Sequence, residues 1–153
     1  MRRSDREITD VYLRENLLLG GTVCRLAMVD DGEPYVVPLN YGYRDGTLYF
    51  HGASEGRMID ILRRGGRVCF EITREHGVVR HENPCSWDWQ YQTVIGYGLP
   101  RFIEDVAEKR MALAIVMNQY STGEYAFTDA SVDRVIVFSV KIDSMTAKEY
   151  RSC

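Results

Sequence analysis

Apolar residues recur along the chain in two rhythms, and the changes between them divide it into elements. In residues 4–19, Ile8, Val11, Tyr12 and then Leu18 or Leu19 fall on one helical face, and Gly20-Gly21 follows as a stop. The stretch 22–29 alternates loosely and is rich in β-formers. Asp30-Asp31-Gly32-Glu33 reads as a turn, 34–43 as a second strand, Arg44-Asp45-Gly46 as another turn and 47–51 as a third strand. Connections this short favour antiparallel hairpins. Helical spacing returns at Met58, Ile61 and Leu62 and is closed by Gly65-Gly66.

Beyond that helix, Val68, Phe70 and Ile72 alternate in a fourth strand over 67–73, and a polar loop with Pro84 follows. Residues 87–97 form a fifth, aromatic strand with a bend expected at Gly96 and Gly98. Asp105 and Glu108 have the spacing of a capping box and open a helix in which Met111, Ala114, Met117 and Tyr120 share a stripe. Tyr12 and Tyr120 are expected to pack from their helices onto the core. A last strand, 134–143, carries Val135, Val137 and Phe138. Six strands with inserted helices predict a mainly β protein, a small antiparallel barrel or sandwich. A doubly wound parallel sheet would need a helix between most strands, and the first three have none.

Composition changes this picture little. A length of 153 residues, 45% hydrophobic and 27% charged, suits one globular domain, 1–153, and argues against disorder or coiled coil. No apolar run approaches the length of a membrane span. The charged start, Met1 to Glu7, leads into no apolar stretch, so a cytoplasmic protein without a signal peptide is expected. A net charge of −3 speaks against nucleic acid as a partner. Cys24, Cys69, Cys85 and Cys153 form no C-x-x-C pair and read as reduced thiols. His76, His81 and Cys85 lie close in sequence, but their spacing fits no metal-binding pattern, and no metal is expected. Ten Tyr against five Phe is unusual, because tyrosine suits half-wet surfaces and ligand pockets better than a dry core.

Three segments could carry chemistry. The turn His51-Gly52-Ala53-Ser54-Glu55-Gly56 enters a helix that begins near Arg57. Glycines allow a tight approach, a helix N-terminus offers unpaired N–H groups, and a guanidinium can grip an anion with two bonds. The same residues also read as an ordinary N-cap with Ser54 capping and Arg57 solvated. Pro38, in the second strand, cannot donate to a ladder; with Asn40 and Gly42 it leaves a face of little bulk, open either to a flat ligand or to a simple bulge. Trp87, Trp89 and Tyr91 alternate onto one face, as a packing seam, a dimer seam or a slot for a flat ring. No P-loop, G-x-S-x-G or zinc-protease motif is present.

The runs Val23–Met28, Pro34–Tyr43, Leu48–Arg57 and Ser86-Trp87…Tyr91–Gly98, in this order, resemble the nitroimidazole-resistance branch of the pyridoxamine 5′-phosphate oxidase-like flavin-binding proteins. The resemblance spans about Asp5 to Lys148. It implies a six-stranded antiparallel split β-barrel with peripheral α-helices, a homodimer, and a flavin at the subunit interface, usually FMN, with FAD or haem as the lesser alternatives. Pro38, Leu39, Asn40 and Tyr41 would run along the edge of the flavin ring. His51, Gly52, Ala53 and Ser54 would approach the ring and its chain, and Arg57 would hold the phosphate. Ser86 and Thr93 would come from the aromatic strand across the dimer.

The same resemblance makes His51 the candidate catalytic proton donor, a role that imidazole suits near neutral pH. The reaction implied is reduction of a small electron acceptor, nitroimidazoles and other nitroaromatics among them. A non-catalytic flavin or haem carrier, or a structural dimer with an empty pocket, are the alternatives. Where pyridoxamine phosphate oxidases carry Ser-Arg-Lys, this chain has Glu55-Gly56-Arg57, and Val36 and Tyr41 replace basic residues. Oxidation of pyridoxamine phosphate is therefore not expected.

Overall fold

The computed structural model describes residues 4–150, so Cys153 lies outside the described residues. Helix α1 (Val11–Gly20) starts at Asp10, whose carboxylate accepts from the backbone N–H groups of Tyr12 and Leu13. Strands β1 (Cys24–Asp30) and β2 (Glu33–Leu39) pair across the expected turn, where Asp31 and Gly32 adopt positive φ of 50° and 90°. The short β3 (Gly42–Arg44) and β4 (Thr47–Gly52) form a second hairpin. Then come α2 (Arg57–Arg64), β5 (Val68–Val79), β6 (Asp88–Phe102), α3 (Val106–Tyr120), α4 (Asp129–Asp133) and β7 (Ile136–Tyr150).

All neighbouring strands pair antiparallel in one sheet of seven, ordered β2-β1-β5-β6-β7-β4-β3. Two expectations need correction. The anticipated second strand breaks at Asn40-Tyr41 into β2 and β3, giving seven strands rather than six. The sheet is also not closed, because β2 and β3 remain its two edges. Only two residues separate those edges in sequence, so the sheet must curl until they meet at Asn40-Tyr41. Helix α2 leaves β4 and packs back on β1.

Inside the curl sit Leu26, Leu48, Phe50, Phe70, Ile72, Val94, Phe138 and Val140, with Phe50 and Phe138 stacked at 5.0 Å. A second cluster, Ile103, Ala112, Leu113, Val132 and Val137, lies beneath α3. Burying such side chains is the main force holding the sheet curled, at about 25 cal/mol per Å² of apolar surface. The inward face of α3 is Ala112, Leu113, Ile115 and Val116; Met111, Met117 and Tyr120 are exposed. Tyr12 is 81% exposed, so neither Tyr12 nor Tyr120 packs its ring into the core as expected. At the head of α3, Asp105 accepts from Glu108 N–H at 2.9 Å, but the Glu108 side chain pairs with Arg101 instead of completing the box. Among the described residues, no helix is long and apolar enough to cross a membrane.

Candidate functional site

The residues singled out by the sequence fall into three places. The first is the exit of β4. Gly52, Ala53 and Ser54 lead through Gly56, at φ 125°, into α2. Gly56 is the N-cap and no side chain caps the helix, so Ser54 does not fill that role. Its carbonyl instead lies 3.4 Å from Arg63 Nη2. The first turn of α2 is thus left without a side-chain cap, at the partially positive end of the helix. Space is present as well: a Cβ at Gly52 would meet only Met58 Cε, at 3.5 Å, and one at Gly56 nothing within 4 Å.

Arg57 begins the helix and reaches back over the β1–β2 hairpin. Its Nε donates to Asp30 Oδ2 at 2.7 Å, and its guanidinium lies 4.5 Å from the centre of the Tyr35 ring. Arg64, two turns on, donates to Asp30 Oδ1. The Arg57 bond, and after it Arg64, holds the Asp30 carboxyl below the usual carboxylate range, against the opposing effect of partial burial. Sequence reasoning missed Asp30, Tyr35 and Arg64 as partners of Arg57. The only local signals were the turn at Asp30 and the basic end of α2, and neither says that the two meet.

His51 pairs with Val137 in the β4–β7 ladder. Strand alternation sets it on the face of Tyr49, which packs against the cluster beneath α3, while Phe50 faces the core inside the curled sheet. It is half-buried.

The second place is the bend between β2 and β3. Pro38 and Asn40 are exposed and Leu39 half-buried, but Tyr41 is wholly buried. Its hydroxyl donates to Leu18 carbonyl at 2.6 Å, and burial pushes the phenol pKa well above its ordinary value. The Tyr41 N–H donates to the hydroxyl of Tyr120, which in turn donates to the Thr22 carbonyl. Gln119 adds contacts from its side-chain amide to the carbonyls of Leu18, Leu19 and Gly21, and accepts from Tyr43 N–H. The ring of Tyr41 is therefore a core element, and the exposed edge of this bend is Pro38 to Asn40.

The third place is the outer face of the sheet. Thr93 is buried there beside Thr73, with 2.7 Å between the hydroxyl oxygens. Both hydroxyls meet the Glu71 carboxylate, which also accepts from Arg25 Nη1 at 2.9 Å. Arg25 pairs in register with Pro38, so Pro38 and Thr93 share this face. Outward along β6 run Ile95, Tyr97 and Leu99, all exposed. Ser86 sits apart, in a 3-10 turn (Pro84–Ser86) between β5 and β6, and among the described residues no hydrogen bond ties it to the other candidates. Trp87 and Trp89 are 48% and 42% exposed. The imidazole of His76 meets Gln92 Oε1 at 3.2 Å, while His81 and Cys85 are exposed. Among the described residues no three His, Cys, Asp or Glu side chains are grouped to hold a metal ion.

The open, seven-stranded antiparallel sheet with its helices is a fold shared with several flavin-binding proteins. It matches the FAD and heme binding protein of Mycobacterium smegmatis (TM-score 0.86, 20% identity, 96% of this chain and 74% of that one). It also matches the flavocytochrome Anf3 of Azotobacter vinelandii (TM-score 0.86, 18% identity, 99% and 72%). A Bacteroides thetaiotaomicron protein, provisionally assigned as a 5-nitroimidazole antibiotic resistance protein, is 35% identical, with a TM-score of 0.83 over 94% of this chain and 86% of that one. The family model described as pyridoxamine 5′-phosphate oxidase matches residues 13–149. This chain belongs to that family. No protein of curated function matches its sequence.

Proposed function

We propose that this protein binds a flavin, FMN in the first instance, and passes electrons from it to small acceptors such as nitroimidazoles and other nitroaromatics. The observation that carries the reading is the start of α2: an uncapped helix N-terminus, glycines that leave room for a ligand, and a guanidinium beside them. Those features suit a phosphate group. Gly52, Ala53 and Ser54 would border the ribityl chain, and Pro38, Leu39 and Asn40 the ring edge, with Tyr41 contributing backbone only. Along β2, Tyr35 and Leu39 are separated by about 13 Å at ~3.3 Å per residue, a span that suits an extended ligand with its phosphate at one end.

A bound flavin supplies the electron-transfer chemistry; the chain binds it, orients it and excludes water. His51 is the proposed proton donor to the acceptor. The exposed row Ile95, Tyr97 and Leu99 supports a homodimer, in which Ser86 and Thr93 of one protomer complete the site of its partner. In the assay, FMN-loaded protein is first reduced anaerobically with one equivalent of dithionite, so that none remains, and is then mixed with a nitroimidazole. Nitro loss in step with flavin reoxidation is expected. In His51→Ala, flavin should stay bound while acceptor reduction slows about 10²-fold, the low end for a general acid. Equal turnover removes His51 from the role, and a native protein that leaves the nitro group intact refutes the acceptor assignment. A Soret band in the purified protein would replace flavin with haem.

A further inference from the structure

Within the proposed phosphate site there is a carboxylate, and its placement is informative. Asp30 closes β1, and its two oxygens serve two different arginines, Oδ2 for Arg57 Nε and Oδ1 for Arg64 Nη2. The Asp30 side chain is only 17% exposed, whereas Arg57 and Arg64 are 55% and 52% exposed. The acid thus lies beneath the guanidiniums and the guanidiniums face solvent. Because Asp30 takes Arg57 by Nε, both Nη groups, the edge that forks an oxyanion, meet no protein acceptor among the described residues. The Tyr35 ring supports the guanidinium from below at 4.5 Å. Arg63, with its Nη2 at the Ser54 carbonyl, brings a third guanidinium to the same turn. Glu55 in the same turn and Asp60 in the first turn of α2 add carboxylates nearby, so the opening for a dianion lies in the free Nη edge of Arg57 and not in a surplus of charge.

We infer that Asp30 is a positioning residue that holds Arg57 with its Nη edge turned to a terminal phosphate monoester. This rests on the flavin reading and gives the apparent misfit, an acid within a phosphate site, a role. An arginine on a flexible stem loses side-chain entropy when it grips a ligand, and a tether on Nε removes that loss beforehand. A competing acid would have the opposite effect, since it would have to be displaced before phosphate could bind.

The test compares FMN with riboflavin, which lacks the phosphate, by fluorescence titration of the full chain and its Asp30→Ala variant. Asp30→Ala should weaken FMN about tenfold, the scale of one well-placed charge-assisted bond, and leave riboflavin within about twofold. Asp30→Asn, which keeps the shape, should give a smaller loss in the same direction and carries the test if the alanine variant fails to fold. FMN binding unchanged or tightened overturns the inference and leaves the flavin reading standing. So do equal losses for FMN and riboflavin, which mean general damage to the site. A native protein that binds neither flavin overturns both.

Discussion

The two ends of β2 are built from opposite materials. At its C-terminal end the chain bends into β3 under neutral hydrogen bonds: the buried Tyr41 hydroxyl to the Leu18 carbonyl, Tyr41 N–H to the Tyr120 hydroxyl, that hydroxyl to the Thr22 carbonyl, and the Gln119 amide to the end of α1. At its N-terminal end Tyr35 and the hairpin meet α2 through half-exposed arginines and one carboxylate. Neutral bonds in a dry setting cost heavily when broken, so the first end is fixed. Exposed ion pairs contribute little to stability, so the second end is held more loosely, and Asp30 takes Arg57 by Nε with the Nη edge left toward solvent. One strand therefore joins a rigid anchor to a charged, solvent-facing contact.

The fixed end of β2 is most sensitive at Gly42. A Cβ there would lie 2.6 Å from the backbone of Ile115 and Val116, so β3 could no longer lie against α3. Backbone cannot step aside as a side chain tip can. Gly42→Ala should cost about 3 kcal/mol, the upper range for overpacking, and lower the melting temperature by about 6–12 °C. A calorimetric melt reads this directly; an unchanged midpoint would mean that the bend is not clamped by α3.

A much smaller effect is expected at the other end. The Asp30 carboxyl has a lowered pKa in the fold, so its contribution to stability is present above the ordinary aspartate value, about 3.9, and is lost as pH falls through its lowered value. In low salt, melting between about pH 5 and pH 3 should therefore fall slightly more for the native chain than for Asp30→Asn, and about 0.5 M salt should erase the difference. A large, salt-insensitive gap would show that this end is as fixed as the other.

Much of this division was invisible in the sequence. The turns at Asp30–Glu33 and Arg44–Gly46 are marked by local residue chemistry, and so was the antiparallel start of the sheet. The extensions of β5 to Val79, β6 to Phe102 and β7 to Tyr150 were not, because they lack a regular apolar alternation and are held by pairing with the neighbouring strands. Helix α3 offers apolar residues on two faces. Which one is buried depends on β3 and β4, so the stripe of Met111, Met117 and Tyr120 pointed the wrong way. Among site residues, Arg57 and its glycine turn were legible as a local motif. Asp30, 27 positions away, was not, since its role exists only once α2 folds back over the first hairpin.

Whether the start of α2 holds the phosphate of a flavin is tested most directly by titration of FMN into the native chain and Arg57→Ala. Native protein should bind FMN with the shifted absorbance of an immobilised flavin, and Arg57→Ala should weaken it by about 1–3 kcal/mol while leaving riboflavin affinity alone. FMN affinity identical in the two proteins, or no flavin binding by the native chain, would contradict it.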